Sequence, residues 1–313
     1  MTINSLLIIT VNWNSGDKLE ACVNSFLDAS KPCPINLMVV DNSSEDGSDY
    51  FIDNLLDSHD CLHMVRSKEN LGFGNGCNLG VETAGYLGLN PDFILFLNPD
   101  TILFKDTFET LLNAECINDL RIGIIGVQIY DNSGVSKSCS YFPSLINFLS
   151  KSIGIDRLLT RIKVVQHHMK DFDHLNSREV DQVMGAFLMI RNTVFTELKG
   201  FDPQFFVYFE EVDLCYRAKK NGYKVWFESQ SKIWHYGGGT TENFKATRLY
   251  LSISSRLRFF LKNKPLYSFI SIFFFSFTIE LLARVTKALV SLNYRELKEI
   301  FLAYTYFLTK GIK

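Results

Sequence analysis

No C-x-x-C pair occurs among the seven cysteines of this 313-residue chain, Cys22, Cys33, Cys61, Cys77, Cys116, Cys139 and Cys215, whose number is odd and whose spacing is scattered. That excludes the usual zinc and dithiol frameworks and points to reduced thiols in a cytosolic setting. The dinucleotide spacing G-x-G-x-x-G is also missing, as are internal repeats and low-complexity tracts. The early apolar run Leu6 to Val11 is too short for a signal-peptide core, has no basic leader, and meets Asn12 where a cleavage site would need a small residue, so it reads as a first strand.

Net charge is scarce as well, at -2, but the balance is uneven along the chain. Residues 1–244 carry 20 Lys and Arg against 31 Asp and Glu, a net -11, whereas residues 245–313 carry 12 against 3, a net +9. An acidic body argues against nucleic acid as the main ligand. A basic, aromatic-rich tail suits an anionic membrane surface or, alternatively, a helical pair docked on the acidic body. With 47% apolar and 21% charged residues the chain is expected to fold rather than stay disordered.

Short apolar, β-branched or aromatic runs at 5–12, 35–41, 62–66 and 93–97 predict strands, and 17–29, 47–57 and 75–87 carry helical periodicity. This alternation predicts a parallel sheet flanked by helices, with ligands beyond the carboxyl ends of the strands. Asn12, Asp41, Arg66 and Asp100 fall there. A second block predicts strands at Ile122–Tyr130 and Val183–Ile190, a turn at Asp202-Pro203, a helix near 210–221 and a strand at 223–228, with a loop excursion over 151–180. From about 246 the pattern is helical. Leu249, Ile253, Leu257, Phe260 and Leu261 form an apolar stripe, and Pro265 opens a run to Leu282 that holds one acid, Glu280. That run is slightly shorter than the ~20 residues of a spanning helix, so interfacial insertion is the expectation.

Chemistry-bearing residues cluster in a few places. Asp41 ends the second run, where a carboxylate can accept from a pyrimidine N–H or a ribose hydroxyl, or can cap a loop. Gly72, Gly74 and Gly76 precede a helix whose N-terminus favours a diphosphate. Asp100 follows Leu97-Asn98-Pro99 and offers a hard oxygen ligand to Mg2+ or Mn2+, or caps a helix from Thr101. Glu210, Glu211 and Asp213 crowd one helix start, which suits either a general base or the helix macrodipole. The aromatic residues Phe205, Phe206, Tyr208 and Phe209 just before them form a wall that can stack on a sugar. His235, between Trp234 and Tyr236-Gly237-Gly238-Gly239, suits a metal or phosphate, or a structural role.

In order, Thr10-Val11-Asn12-Trp13-Asn14, Val40-Asp41-Asn42-Ser43-Ser44, Asn70-Leu71-Gly72-Phe73, Leu97-Asn98-Pro99-Asp100, Phe209-Glu210-Glu211-Val212-Asp213 and His235 closely resemble glycosyltransferase family 2, over residues 3 to about 240. The Asn-Pro-Asp form and Gly200-Phe201-Asp202 look most like its bacterial rhamnosyltransferase branch. The resemblance implies an α/β GT-A fold, and the basic, aromatic tail beyond it is expected to form a C-terminal helical membrane-associating extension. The domains would be 1–245, with a nucleotide-sugar half (1–115) and an acceptor half (116–245), and then 246–313.

The resemblance also assigns roles. Thr10, Asn12, Asp41, Asn70, Gly72, Asn75 and Asn98 would surround a dTDP- or UDP-sugar, and Asp100 with His235 would hold Mg2+ or Mn2+. Glu211 stands where the family usually has the Asp of a Glu-Asp pair and would be the base; Phe209, Glu210 and Asp213 would meet the acceptor or sugar. Asn98 departs from the two-carboxylate metal motif, leaving one charged ligand in that segment. The implied enzyme is an inverting hexosyltransferase acting on a lipid-linked glycan in surface-polysaccharide (O-antigen or capsule) synthesis, peripheral to the cytoplasmic face of a bacterial inner membrane. The rivals are a sugar nucleotidyltransferase, which needs a basic triphosphate loop after the first strand, and a non-catalytic membrane scaffold.

Overall fold

Strands buried on both faces need unbroken apolar runs, and three of the four N-terminal runs form them, while 62–66 forms a half-exposed edge strand. The computed structural model describes residues 3–152, 162, 166, 169, 172–237 and 245–312. The order is β1 (Leu6–Asn12), α1 (Asp17–Asp28), β2 (Ile35–Asp41), α2 (Tyr50–Leu56), β3 (Leu62–Arg66), α3 (Phe73–Tyr86) and β4 (Phe93–Leu97). β1 pairs in parallel with β2 and with β4, and β2 with β3, bringing the carboxyl ends of all four strands to one edge. Leu6 and Ile8 pack with Leu19, Val23 and Phe26 of α1, while Leu7, Ile9 and Val11 pack on the face that holds Cys77 and Ala84 of α3. Each such Leu, Ile or Val buried contributes about 1.5–3 kcal/mol. A Cβ on Gly80 would stand 2.8 Å from Ile9 Cγ2 and Val40 Cγ2, so this helix needs glycine to approach the sheet.

The sheet then changes direction. After β5 (Thr101–Leu103), α4 (Thr107–Leu112), β6 (Ile122–Asp131), β7 (Gly134–Val135), β8 (Cys139–Ser140) and α5 (Leu145–Ser152) come β9 (Arg178–Val180), β10 (Gln182–Val183), β11 (Phe187–Arg191), α6 (Asn192–Glu197), α7 (Glu210–Lys220) and β12 (Lys224–His235). The main sheet has the order β3-β2-β1-β4-β11-β6-β12-β5. β11 runs antiparallel to β4 and to β6, and β12 runs antiparallel to β5.

Three expectations are corrected here. The run Val183–Ile190 is two strands, because Met184 N–H bonds Ser138 C=O and Phe187 N–H bonds Met184 C=O, turning the chain at Gly185. The strand expected at 223–228 continues to His235: Ser231 Oγ donates to Thr107 C=O, and Ser229 N–H bonds Ser177 Oγ, so polar residues are satisfied inside the sheet. Most of 151–180 lies outside the described residues, but Arg178–Val180 is strand rather than loop, paired with β12.

The chain divides into two compact units. The first comprises Met1–Phe142, His168–Asp202 and Glu211–Gly239 and is the α/β sheet; the second comprises Pro143–His167, Pro203–Glu210 and Thr240–Lys313. The second contains α8 (Lys245–Asn263), α9 (Leu266–Phe275), a π-helical turn (Ser276–Glu280), α10 (Leu281–Val290) and α11 (Tyr294–Lys310). α9, the π turn and α10 run on as one helix of 25 residues, longer than the expected run and long and apolar enough to cross a membrane by length and composition. Its acid faces inward: Arg256 of α8 donates to Ser276 Oγ at 2.7 Å and to Glu280 Oε2 at 2.6 Å. Its outer face leaves Leu266, Tyr267, Ile270 and Phe274 exposed.

Candidate active site

The ends of β1 and β2 build the first part of the site. Asn12 and Asp41 are cross-strand neighbours, and the Asn12 amide lies 2.9 Å from Asp41 Oδ1, 3.0 Å from Ser44 Oγ and 2.9 Å from Ser48 Oγ. Asp41 Oδ2 accepts from Ser44 N–H, so Asp41 also shapes the loop that follows it. Thr10 Oγ1 and Asn12 Oδ1 are buried with no hydrogen-bond partner among the described residues. Two orphaned polar atoms, two residues apart on one strand, stand on the face where Leu6 and Ile8 pack. Each such atom costs about 1–3 kcal/mol if nothing answers it.

The glycine turn is held by a residue not singled out from sequence. Asn42 donates to Asn70 Oδ1 and Gly72 C=O and accepts from Leu71 N–H, while Asn70 Oδ1 also accepts from Gly72 N–H. Gly72 adopts φ 81°, left-handed backbone that favours glycine, and α3 begins at the next residue. Asn75 Nδ2 donates back to Leu71 C=O. Asn42 could have been found in the sequence from its place beside Asp41 at a strand end. Arg66, at the end of β3, is engaged by Asp49 and Asp53 at 2.7 and 2.9 Å.

Asp100 sits between two strands. Thr101 begins β5 rather than a helix, which removes the helix-cap reading of Asp100. Asn98 N–H bonds Ala186 C=O, and Asn98 C=O accepts from Thr101 Oγ1 at 2.7 Å, fixing the turn. The antiparallel pairing of Thr101 with His235, and the bond from Tyr236 N–H to Asp100 C=O, bring the two functional side chains together. His235 Nε2 lies 3.1 Å from Asp100 Oδ1, with both side chains largely buried. Gly238 and Gly239 lie outside the described residues.

The imidazole nitrogen and the carboxylate oxygen contact each other directly, and both are atom types that a divalent cation accepts as ligands. Among the described residues no group of three or more His, Cys, Asp or Glu side chains is placed to hold an ion alone. As a donor set the pair fits a divalent cation without completing its shell. The nitrogen donor suits Mn2+ better than Mg2+.

Glu211 is the second residue of α7, and its carboxyl-bearing chain packs against Gly185, the turn between β10 and β11. A Cβ at 185 would stand 3.6–3.8 Å from Glu211 Cβ, Cγ and Cδ. Burial raises the Glu211 pKa above the ordinary glutamate value, against smaller lowering effects from the helix-start N–H groups of Glu211 and Val212. Asp213, one turn on, has a different environment. It is fully buried and accepts from Arg217 Nε at 2.7 Å, while Arg217 also bonds Leu198 C=O and Gly200 C=O. Asp213 thus orients Arg217, which ties α7 to the loop before it. Glu210 is buried, and Phe209 packs on Phe259 within the helical unit, ring centroids 5.6 Å apart. Tyr208 and Phe209 take φ 68° and 69°, a consecutive non-glycine pair in left-handed backbone directly before the Glu-Glu segment. Such strain costs about 1–3 kcal/mol per residue and collects at functional sites.

Strand-end amides and a carboxylate, a glycine turn opening a helix, and an Asp–His pair gather beyond the carboxyl ends of the strands of a GT-A type α/β fold. The sequence model of glycosyl transferase family 2 matches residues 7–216, and the chain belongs to that family. It is 27% identical over 223 residues to the low-salt glycan biosynthesis hexosyltransferase Agl10 of Haloferax volcanii, covering 71% of this chain and 64% of that one, so it spans less than two thirds of that relative. It is 26% identical over 251 residues to the N-acetylglucosaminyl-diphospho-decaprenol L-rhamnosyltransferase of Mycobacterium tuberculosis, covering 78% and 80% of the two chains. In fold it is similar, at TM-score 0.57 and 13% identity, to a mannosyltransferase from Pyrobaculum calidifontis in complex with GDP-Man and Mn2+, covering 98% of this chain and 88% of that one.

Proposed function

We propose that this chain is a metal-dependent, inverting hexosyltransferase that moves L-rhamnose from dTDP-rhamnose to a hydroxyl of a lipid-linked glycan in surface-polysaccharide (O-antigen or capsule) assembly. It works at the cytoplasmic face of a bacterial inner membrane. The observation that carries the reading is the 3.1 Å approach of His235 to Asp100 beyond the carboxyl ends of the sheet whose neighbouring strands end in Asn12 and Asp41. The choice of sugar and lipid-linked acceptor is supported by similarity to the mycobacterial rhamnosyltransferase.

In this reading Thr10, Asn12 and Asp41 bind the base and ribose. Their orphaned Thr10 Oγ1 and Asn12 Oδ1 supply unused hydrogen-bonding capacity at that position. Asn70, Gly72 and Asn75 shape the turn that aims the N-terminus of α3 at the diphosphate, with Asn98 beside the donor. Asp100 and His235 hold Mn2+ or Mg2+, which when bound supplies Lewis-acid stabilisation to the leaving diphosphate. Glu211, poised by its raised pKa, takes the proton from the acceptor hydroxyl. The oxygen attacks the anomeric carbon as its bond to the diphosphate breaks, and one displacement inverts the configuration.

A nucleotidyltransferase is disfavoured by the loop after β1. Its donors and acceptors are tied to the Asp41 loop, with Asn14 N–H on Ser44 Oγ, Asn14 Oδ1 accepting from Glu45 N–H, and Gly16 N–H on Asp46 Oδ2; residues 12–16 carry no Lys or Arg. Incubation with a panel of dTDP- and UDP-sugars, Mn2+ and a lipid-linked glycan, read by mass spectrometry, tests the proposal. A rhamnosylated product is expected. Absence of transfer and of donor hydrolysis with every sugar nucleotide would overturn it in favour of a scaffold.

A further inference from the structure

We infer that the helical unit contains a second binding site, a cavity that takes the phosphate-bearing headgroup of the lipid-linked acceptor; this rests on the acceptor class proposed above. The cavity encloses about 470 Å³ and is lined by α8, α10 and α11 together with Tyr208. Drug-sized ligands typically occupy about 300–1,000 Å³. Three cations line it: Lys245 and Arg248 from the first turns of α8, and Arg284 from α10.

The two acids in the wall are each held by a neutral donor and keep their charge. Glu299 Oε2 accepts from Ala246 N–H at 2.9 Å, closing the start of α8, and Glu296 Oε2 accepts from Asn293 Nδ2 at 3.2 Å at the start of α11. Arg284 is anchored at one edge by Glu280 Oε1, at 3.1 Å from Nε and 2.7 Å from Nη2. Lys245 and Arg248 make no ion pair or hydrogen bond among the described residues, and with Arg284 they outnumber the two acids of the lining three to two. Phosphate oxygens are the chemistry that a fixed guanidinium and two unpaired cations select.

The rest of the lining distinguishes a lipid headgroup from a bare anion. The Tyr208 and Ser252 hydroxyls can meet sugar hydroxyls, and Leu249 and Ile300 give an apolar wall for the first carbons of a lipid chain. The helix that carries Arg284 also exposes Leu266, Tyr267, Ile270 and Phe274, an apolar stripe that inorganic phosphate would not use. Tyr208, which lines the cavity, stands in the left-handed pair of residues that runs directly into Glu210-Glu211.

The test is binding of farnesyl diphosphate, inorganic pyrophosphate, phosphatidylglycerol vesicles and dTDP to the full chain by titration calorimetry, in wild type, Lys245→Ala/Arg248→Ala and the control Arg295→Ala/Lys298→Ala. The control residues lie on α11 but do not line the cavity. Farnesyl diphosphate is expected to bind, and the Lys245/Arg248 variant to lose about tenfold or more in its affinity while the control retains it. Equal losses in both variants, no loss in either, or pyrophosphate binding as tightly as farnesyl diphosphate would overturn the inference. So would a loss seen only for vesicles, which would assign these cations to general bilayer attraction. Melting curves show whether each variant is folded, and should the Ala pair unfold, Lys245→Gln/Arg248→Gln replaces it. The dTDP titration keeps the two readings apart: failure there counts against the glycosyltransferase reading, whereas loss of the lipid diphosphate alone counts only against this site.

Discussion

The α/β unit and the helical unit are built on opposite uses of polar groups. In the sheet, carboxylates and amides appear where strands end, and each is held by neighbours, as in Asn12 with Asp41 and Asp100 with His235. In the helical unit the buried polar group lies mid-helix, where Glu280 joins Arg256 and Arg284, and the outer surface is apolar and cationic. The first arrangement leaves Thr10 Oγ1 and Asn12 Oδ1 buried at the strand end with no hydrogen-bond partner among the described residues. The second locks helices together and leaves lipid-compatible surface outside. Chemistry and anchoring are thus expected to respond to different substitutions.

The largest separation is expected at Glu211. Glu211→Gln should lower turnover by about two orders of magnitude or more with dTDP affinity retained, because only the proton acceptor is lost. Near-normal turnover would remove Glu211 from that role. The raised pKa fixes the sign of the pH effects. The base is active when deprotonated, so wild-type turnover should fall as pH drops through a value above the ordinary glutamate range, and the variant should lose that limb. For stability, the unfolded chain gives up this proton first. Glu211 therefore destabilises the fold progressively as pH rises from the ordinary glutamate pKa to its own raised value, and fully above it. Glu211→Gln should accordingly melt higher than wild type at neutral pH and equally at acid pH below both values.

In the helical unit, Arg256→Ala should cost up to about 3–5 kcal/mol by leaving the largely buried Glu280 with Arg284 as its remaining ion-pair partner among the described residues, whereas replacing both Arg256 and Glu280 with apolar residues should cost far less. Urea unfolding of the two variants checks this; equal losses would mean the pair is not coupled. Asp100→Ala should reduce turnover about 10²–10³-fold and remove the response to added Mn2+, measured as donor hydrolysis, without changing vesicle binding. Retained Mn2+ dependence would move the cation elsewhere. The smallest effect is Gly80→Ala, about 1–3 kcal/mol from overpacking against Ile9 and Val40. A neutral result in thermal melts would mean α3 can shift without cost.

Legibility from sequence followed burial. β1, β2 and β4 were readable because strands covered on both faces show as continuous apolar runs, β3 from the shorter apolar run of an edge strand, and α1 and α3 because one face alone is apolar. β12 was read short because Ser229 and Ser231 look like a loop until Ser177 and Thr107 supply their partners. The same limit applied to the acids of α7: identical in charge and crowded in sequence, Glu211 and Asp213 differ only because Gly185 stands beside one and Arg217 beside the other. Glu280, an anomaly in an apolar run, became a buried ion-pair partner once Arg256 was in place.

The amino-acid order alone was sufficient for the class of fold, the strand-end positions of Asn12, Asp41 and Asp100, and the opposite charge of the two regions, because periodicity and local composition are one-dimensional properties. Only the tertiary structure decided that His235 reaches Asp100, that Asp213 serves Arg217, and that Lys245, Arg248 and Arg284 share a cavity. Each of these depends on groups far apart in the chain, whose meeting is set by strand register and helix packing rather than by spacing.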